Sequence, residues 1–316
     1  MLVDHDAGCN LQPRLRRQFD IGQHPDSDHD QIGLDVPPVA EADAGHLAAV
    51  ALDAGDLHAE VNADIGLEFA ATARAKGLEV DVIELAPRVM ARAVTAEISD
   101  HFQSRHAAAG IRIHLGVQVT SIESDGSKVT GVSLSDGRHI KADLIVVGVG
   151  VLPNVELAAE AGLKVAAGIV VDEHLLTSDP DVSAIGDCAL YASPRFGGSL
   201  RLESVQNATD HARCVAARLT GDAKPYDGLP WFWSDQGPDK LQMVGLTTGY
   251  DRVVVRGDRV AGAFSAFCYK AGRLVGIESV NRAGDHMFGR RLLAAHGSIT
   301  PEQAADAGFD LKSALT

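Results

Sequence analysis

Two short glycine motifs carry residue types that could hold a bound ligand. Residues 147–154 read VGVGVLPN, and residues 183–188 read SAIGDC. Each follows or ends an apolar run and places glycine where a backbone must approach a ligand closely. The second motif also puts the carboxylate of Asp187 directly after a glycine. Gly148, Gly150 and Asp187 are therefore candidates for contacting a bound ligand.

A third motif, at residues 61–66, is a reduced form of a dinucleotide-binding loop. Such a loop reads G-x-G-x-x-G, and its glycines let a pyrophosphate approach the N-terminus of the next helix. Here the window reads VNADIG, so only the last glycine, Gly66, is present, and Asp64 puts a negative charge where the pyrophosphate should lie. By itself, this window does not indicate a dinucleotide site.

Downstream of this window, Glu84 ends a predicted strand 18 residues after Gly66. An acid about 20 residues after the loop commonly binds the ribose 2′-hydroxyl, and an acid at that place favours NAD over NADP. The alternative is a solvated carboxylate at the end of a strand. We favour the ribose ligand because the helix and strand predicted around Glu84 fit a nucleotide-binding unit.

Composition limits the class of protein. A chain of 316 residues with 46% hydrophobic and 22% charged residues has room for two or three globular domains. No apolar run approaches the ~20 residues that span a bilayer, and no secretory signal is visible, so we expect a cytoplasmic protein. The net charge of -15 argues against nucleic acid as a partner.

The cysteines are too far apart for a redox dithiol or a zinc knuckle. They are Cys9, Cys188, Cys214 and Cys268. A reducing cytoplasm fits this spacing, and we expect neither a metal nor a disulfide to take part in the chemistry.

Residues 1–64 differ sharply from the rest of the chain. They contain 13 acidic residues, 3 arginines, no lysine and 5 of the 13 histidines. Their Asp and His clusters could bind a metal, but we favour a solvated, poorly ordered segment. A third possibility is that this segment lies outside the ancestral reading frame. Within it, residues 40–57 could form a short alanine-rich helix.

From residue 65 onward, the pattern predicts an α/β protein. We expect helices at 65–76, 95–109, 155–161, 204–219, 281–294 and 301–307. Gly77 is expected to end the first of these, Thr95 to be the N-cap of the second, and Pro301 after Thr300 to begin the last. We expect strands at 78–84, 111–123, 128–135, 143–149, 168–172, 182–186, 241–248, 251–256, 261–269 and 272–280. Asp-Gly pairs at 125–126 and 136–137 mark hairpin turns. These elements indicate nucleotide-binding three-layer domains with an inserted β-meander, followed by a C-terminal α+β domain with an antiparallel sheet.

In this order and spacing, residues 65–316 resemble the FAD-dependent, NADH-using ferredoxin reductases of the pyridine nucleotide–disulfide oxidoreductase fold. The resemblance covers about four fifths of the chain. Besides the two glycine motifs, it rests on IGLE at 65–68, ESVQNA at 203–208 and PWFWSDQ at 230–236. It implies an NAD-binding domain at 65–147, the remaining part of an FAD-binding domain at 148–222 and a C-terminal reductase domain at 223–316.

The resemblance also implies roles for individual residues. Glu68 would face the nicotinamide, and Glu84 would bind the adenosine ribose. Residues 147–154, with Gly148 and Gly150, would form the strand that returns to the FAD-binding domain. Asp187 would bind the ribityl chain of the flavin. Val205 and Gln206 would begin a helix aimed at the pyrimidine edge of the flavin, where its dipole stabilises charge on the reduced ring. Trp233 would lie beside the isoalloxazine. The implied cofactor-binding residues are Gly66, Glu68, Glu84, Gly148, Gly150, Asp187, Val205, Gln206 and Trp233.

Several of these residues have a simpler explanation. Asp187 could cap the turn that follows it. Trp231 and Trp233 could be ordinary interface aromatics. Residues 147–154 could be any buried strand followed by a turn.

The chemistry implied by the resemblance belongs to the cofactors, FAD and NADH. NADH would deliver hydride to the flavin, which would pass single electrons to a [2Fe–2S] ferredoxin serving a cytochrome P450 or a ring-hydroxylating oxygenase. No acid, base or nucleophile is required from the protein. Arg282, Arg290 and Arg291 could contact an acidic ferredoxin or form a solvated helix face. Either a monomer or a homodimer is compatible with this reading.

Residues 1–64 depart from the family pattern. They lack a G-x-G-x-x-G loop and are too few for a complete FAD-binding Rossmann unit. The alternative reading is therefore a truncated, catalytically inactive relative that binds nucleotide weakly or serves only as an interaction module.

Overall fold

The computed structural model describes the backbone of residues 46–51 and residues 65–315 in full. The expectations of low order and of a possible metal site in residues 1–64 fall largely outside this range. Strands are β1 His46–Ala51, β2 Glu79–Glu84, β3 Arg112–Leu115, β4 Val119–Ser124, β5 Val129–Leu134, β6 His139–Lys141, β7 Leu144–Val147, β8 Ile169–Val171, β9 Ala189–Ala192, β10 Ser199–Leu200, β11 Trp231–Gln236, β12 Asp239–Gly245, β13 Arg252–Asp258, β14 Ala263–Lys270 and β15 Arg273–Val280. Helices are α1 Ile65–Ala75, α2 Ala96–Ala108, α3 Glu156–Glu160, α4 Val205–Leu219, α5 Ala283–Ala294 and α6 Pro301–Ala305.

The first sheet is parallel and has the order β3-β2-β1-β7. Its central strand β1 corrects the expectation of a helix at 40–57. The run HLAAVA is short and apolar, and such a run is compatible with a buried strand or a helix. Pairing decides between them, because β1 lies between β2 and β7 and is parallel to both. The parallel sheet therefore begins upstream of residue 65.

Helix α1 packs one small, apolar face against this sheet. Leu67, Ala70 and Ala73 are buried on that face, and the small size of the two alanines allows a close approach to β2. Gly77 follows the helix with a φ of 87°, a conformation that suits glycine and ends helices. The predicted helix stop is therefore confirmed.

The inserted meander is a three-stranded antiparallel sheet of order β4-β5-β6. Both expected turns are present, with φ values of 93° at Gly126 and 86° at Gly137. The single strand expected at 111–123 is instead divided. Gly116, with a φ of 69°, breaks the run so that β3 joins the parallel sheet and β4 joins the meander.

A small sheet of order β10-β9-β8 packs against α4 and the segment before it. The strand expected at 182–186 is absent there. Ser183 forms only an isolated bridge with Leu176, and a 3-10 turn at Gly186–Cys188 precedes β9. Gly186 has a φ of 72°, which ends any extended run at this point.

The C-terminal sheet is antiparallel, with the order β11-β12-β15-β14-β13. The pattern did not predict β11, although its residues lie in the quoted aromatic segment. One face packs against the parallel-sheet domain through Phe264 and Leu241, near Phe102 of α2. The other face is covered by α5 and α6.

These elements confirm the predicted α/β class, the meander and the C-terminal antiparallel sheet. The helices expected from residue 65 onward are present, each within two residues of its predicted ends. No helix among the described residues is both long and apolar enough to cross a membrane.

Candidate functional site

The N-terminus of α1 lies directly against the loop that leaves β7. An ideal Cβ built on Gly148 would be 3.4 Å from both the Cα and the backbone nitrogen of Gly66. Gly150, two residues further on, has a φ of 89°. The sequence placed these glycines in two separate motifs. The structure brings Gly66 and Gly148 together at one close backbone approach.

Glu84 lies at the carboxyl end of β2, the edge of a parallel sheet where ligands bind in such folds. It is only 4% exposed, so it is not a solvated carboxylate. Its Oε1 accepts a hydrogen bond of 2.9 Å from the backbone N–H of Ala86. The loop after β2 therefore fixes the direction of this carboxylate.

Glu68 lies in the first turn of α1, and its carboxylate accepts hydrogen bonds from the C-terminal sheet. Its Oε1 accepts a hydrogen bond of 2.6 Å from the Ser234 hydroxyl and one of 2.9 Å from the backbone N–H of Asp235. Both donors belong to β11 of the C-terminal sheet. The carboxylate that was expected to face a nicotinamide is thus oriented by the segment that was expected to lie beside a flavin.

Asp187 lies in the 3-10 turn at Gly186–Cys188 and is exposed. Partial burial of its carboxyl raises its pKa, and the nearby charge of Arg201 opposes that shift. Burial and the charge of Arg201 are the influences on this carboxyl, and no hydrogen bond from a described residue is among them. It is therefore available to a ligand, as the ribityl assignment requires.

Arg201 and Glu203 form a buried ion pair next to this turn. Arg201 also donates a hydrogen bond of 3.1 Å to the carbonyl oxygen of Asp187. Burial raises the pKa of Glu203, and the hydrogen bond from Arg201 opposes this. Arg201 Nε and Glu203 Oε2 are buried without a hydrogen-bond partner among the described residues. The pair thus has unused donor and acceptor capacity beside Asp187.

Helix α4 begins with a conventional cap and a solvent-facing first residue. The Ser204 hydroxyl accepts a hydrogen bond of 3.1 Å from the backbone N–H of Asn207, and Val205 is 69% exposed. Gln206 is buried, and its Oε1 accepts a bond of 3.2 Å from the backbone N–H of Trp231. Val205 is therefore exposed at the start of α4, whereas the Gln206 side chain ties α4 to β11.

Trp231 and Trp233 are stacked, with ring centroids 5.8 Å apart. The guanidinium of Arg290 lies 3.9 Å from the Trp231 ring centroid, so this arginine makes a cation–π contact. Trp233 is 41% exposed. Of the other two basic residues considered, Arg282 pairs with Asp285 of its own helix, while Arg291 is exposed.

Glu278 is a site residue that sequence reasoning missed. It lies on β15, is fully buried, and accepts bonds of 2.9 Å and 2.7 Å from the N–H and hydroxyl of Thr95. Thr247 donates a third bond of 3.0 Å. Burial raises the pKa of Glu278 to about 7. The available signal was an acid in the apolar strand sequence RLVGIESV.

Thr95 occupies the predicted N-cap position of α2, but its side chain does not cap that helix. Its hydroxyl donates to Glu278 instead. Glu278 also lines a cleft that includes Ser204 and Trp231, so the cleft brings together all the domains around the candidate site. Among the residues that the structure covers, no group of three or more His, Cys, Asp or Glu side chains is placed to hold a metal.

Sequence comparison places two family profiles on this chain. Residues 63–212 match the pyridine nucleotide–disulphide oxidoreductases, and residues 231–315 match the reductase C-terminal domain. FAD and NADH are the cofactors of this family.

Curated relatives extend over about four fifths of the chain. Rhodocoxin reductase of Rhodococcus erythropolis is 53% identical over 251 residues, which are 79% of this chain and 59% of the relative. Putidaredoxin reductase of Pseudomonas putida is 40% identical over 253 residues, which are 79% of this chain and 60% of the relative. The chain therefore spans about three fifths of the length of these proteins.

Solved structures agree with this similarity. The ferredoxin reductase for the CYP199A2 system from Rhodopseudomonas palustris is 67% identical, with a TM-score of 0.81 over 86% of this chain and 65% of that one. Putidaredoxin reductase in its covalent complex with putidaredoxin is 37% identical, with a TM-score of 0.80 over 86% of this chain and 63% of that one.

Proposed function

We propose that this chain, which belongs to the pyridine nucleotide–disulphide oxidoreductase family, acts as an NADH-dependent, FAD-containing ferredoxin reductase. It would pass electrons in the cytoplasm to a [2Fe–2S] ferredoxin that serves a cytochrome P450 or a ring-hydroxylating oxygenase. Relatives named for a ferredoxin complex and for the CYP199A2 system support the partner and the pathway.

One observation carries the nucleotide part of this proposal. Gly66 and Gly148 lie in backbone contact at the N-terminus of α1, at the edge of the sheet where the buried Glu84 also lies. A helix N-terminus flanked by glycines is suited to a phosphate, and a fixed carboxylate one strand away is suited to ribose hydroxyls. Glu68, one turn into α1, would then face the nicotinamide.

The flavin part depends on residues from three segments. Asp187 would accept hydrogen bonds from the ribityl hydroxyls, since it is exposed and no hydrogen bond from a described residue acts on its carboxyl. The N-terminus of α4, at the exposed Val205, would direct the helix dipole at the pyrimidine edge. Trp233 would exclude water from one side of the ring. When bound, FAD supplies the acceptor for hydride and the single-electron donor.

A second candidate is a relative that binds nucleotide weakly or acts only as an interaction module. The window 61–66 favours it, because two glycines of the dinucleotide loop are replaced and Asp64 adds a negative charge. The two candidates differ in one simple property, which is the ability to hold an oxidised flavin that NADH can reduce.

Absorbance spectra of the purified chain, before and after addition of FAD and then NADH, test the proposal. We expect a bound flavin band that bleaches on addition of NADH. NADPH serves as the matched control, and we expect it to act more slowly because Glu84 disfavours a 2′-phosphate. A colourless protein that takes up no FAD would overturn the reductase assignment and favour the second candidate.

A further inference from the structure

A line of buried polar side chains connects Glu68 to the far side of its own domain. The Ser234 hydroxyl lies 2.6 Å from Glu68 Oε1, and Gln236 Nε2 lies 3.2 Å from the same hydroxyl. Gln236 Oε1 in turn lies 2.8 Å from His106 Nε2. Ser234, Gln236 and His106 are 0%, 3% and 4% exposed. Only Glu68, at the end of this line, is half-buried.

The direction of each hydrogen bond follows from the chemistry of the neighbours. Gln236 Nε2 also lies 3.3 Å from the Met90 sulfur, which can only accept, so the amide nitrogen faces Met90 and Ser234. The Ser234 hydroxyl therefore accepts from Gln236 and donates its single proton to Glu68. Gln236 Oε1 can only accept, so His106 Nε2 donates to it. Burial lowers the pKa of His106 and so favours the neutral ring.

All the donors in this line thus point toward the Glu68 carboxylate. Consecutive hydrogen bonds whose donors all point the same way polarise each other and hold the side chains that form them in one geometry. The backbone N–H of Asp235 adds a second donor at 2.9 Å to the same oxygen, Oε1. Oε2 has no hydrogen bond from the part of the chain that the structure describes, so it is the oxygen left for a ligand.

The line crosses between domains twice. Glu68 and His106 lie on α1 and α2 of the parallel-sheet domain, whereas Ser234 and Gln236 lie on β11 of the C-terminal sheet. The position of β11 therefore sets the direction of the Glu68 carboxylate. The hydrogen bond between His106 and Gln236 in turn helps to fix the position of β11.

We propose that Ser234, together with Gln236 and His106 behind it, is a positioning residue that fixes the Glu68 carboxylate for the nicotinamide end of NADH. This inference rests on the proposed function for the identity of the ligand, but not for the coupling between Glu68 and β11. The C-terminal sheet thereby contributes to the nucleotide site without touching the nucleotide.

The test of the coupling uses amide hydrogen exchange of the whole chain, with no cofactor present. The Asp235 N–H is protected by Glu68, so its exchange should accelerate about tenfold in Glu68→Ala. If His106 and Gln236 position the acid, His106→Phe and Gln236→Leu should also accelerate this one amide. An unchanged Asp235 amide in both of these variants would overturn the positioning role.

The test of the site uses calorimetric titration of the chain with NAD⁺. We expect Ser234→Ala to weaken binding about fivefold, and to have no further effect in a Glu68→Gln background. Ser234→Thr, which keeps the hydroxyl, should restore most of the affinity. An equal loss in both backgrounds, or no loss in either, would contradict the proposal.

Ser99→Ala is the matched control. Ser99 is also 0% exposed and donates a bond of 2.7 Å, but its acceptor is the carbonyl oxygen of Val89. We expect it to lower stability as Ser234→Ala does and to leave the NAD⁺ affinity unchanged. If the wild-type chain binds neither FAD nor NAD⁺, the proposed function fails, and amide exchange alone decides whether β11 positions Glu68.

Discussion

The Glu278 carboxylate accepts two hydrogen bonds from Thr95, one from its backbone N–H at 2.9 Å and one from its hydroxyl at 2.7 Å. Thr95 precedes α2 of the parallel-sheet domain, and Glu278 belongs to β15 of the C-terminal sheet. An acid with no exposed surface thus joins the start of a helix in one domain to a central strand of another.

This contact predicts a stability that falls as the pH rises. Burial raises the pKa of Glu278 from 4.5 to about 7, although bonds from Thr95 and Thr247 and the charge of Arg88 oppose the shift. Because the folded state holds the proton more tightly than the unfolded state, stability from this group is full below about pH 4.5 and is lost through pH 7. We expect Glu278→Gln to be more stable than wild type at pH 8 by up to about 3 kcal/mol, measured by urea unfolding.

The same comparison near pH 4 should show almost no difference between Glu278→Gln and wild type. The exposed Glu160→Gln variant is the control and should match wild type at every pH. A gain for Glu278→Gln that does not change with pH would show that packing, and not the buried charge, is responsible.

A second prediction concerns the backbone at Gly186. Gly186 and Gly197 both have a φ of 72°, so alanine at either position has a similar backbone cost of about 1–2 kcal/mol. At Gly186 the N–H also donates to His211 Nδ1 at 3.1 Å, and a Cβ would lie 3.5 Å from that of Ala208. Relief of the strain there must move the adjacent Asp187.

We therefore expect Gly186→Ala and Gly197→Ala to lower the melting temperature by similar amounts. Only Gly186→Ala should also weaken FAD binding, by tenfold or more. An ideal Cβ built on Gly197 would have no described atom within 4 Å, and Gly197 is remote from Asp187 in the sequence. Titration of flavin fluorescence together with thermal unfolding measures both quantities. Equal FAD affinity in the two variants would contradict the role assigned to the Gly186 turn.

A third prediction concerns Asp81, whose side chain is 5% exposed. Arg112 donates two bonds to it, at 2.9 Å and 2.6 Å, and His114 lies 2.7 Å from it. Burial raises the pKa of Asp81, but the hydrogen bonds from Arg112 and His114 outweigh it, so that the net pKa falls below 3.8. Its stabilising contribution is thus present above pH 3.8 and is lost as the pH falls through the lowered value.

We expect Asp81→Asn to lower the free energy of unfolding by about 1–3 kcal/mol at pH 7, because a buried charged hydrogen-bond network is broken. Chemical denaturation at pH 7 and below pH 3 measures the change, which should shrink in acid. The exposed pair of Asp222 with Lys224 supplies the control, since Asp222→Asn should have little effect at either pH.

A fourth prediction concerns the C-terminal segment. The Arg256 guanidinium donates to the carbonyl oxygens of Ala304, Ala307 and Phe309, at 3.2, 3.3 and 2.9 Å. These carbonyls follow or end α6, where a helix leaves its last carbonyls without intrahelical donors. Arg256→Ala should make the segment after residue 305 about tenfold more sensitive to limited proteolysis, as followed by mass spectrometry.

Arg256→Lys should restore only part of this resistance. The planar guanidinium of arginine donates to several carbonyls at once, whereas the compact ammonium group of lysine cannot reach all of them. Arg252→Ala is the control. Arg252 pairs with the exposed Glu302, at 3.4 Å, so its loss should leave the cleavage rate near that of wild type. Full protection in Arg256→Ala would show that packing of α6 alone holds the segment.

Local chemistry allowed much of the fold to be predicted. Turns at Gly126 and Gly137, the stop at Gly77 and the start of α6 at Thr300 depend on residues close in sequence, and all are present. Thr300 even forms a capping box with Gln303. Helices were predicted well because their periodic apolar faces are local patterns.

Predictions failed where a distant partner decided the structure. The run at 46–51 is a strand because β2 and β7 flank it, and nothing within six residues could indicate this. The strand expected at 182–186 is replaced by an isolated bridge and a 3-10 turn, where the Gly186 N–H donates to His211, 25 residues away. The aromatic segment was recognised for its tryptophans, but its assembly as β11 depends on pairing with β12.

The sequence by itself determined the α/β class, the meander, the antiparallel C-terminal domain and the identity of the candidate residues. These features follow from residue types and their order, because turns, caps and apolar periodicity depend on residues that are close in sequence. Only the tertiary structure decided that Gly148 lies against Gly66, that Ser234 holds Glu68, and that Thr95 donates to Glu278 instead of capping its helix. These contacts join residues 82 to 183 positions apart, and side-chain type alone does not determine which of many possible partners packing brings together.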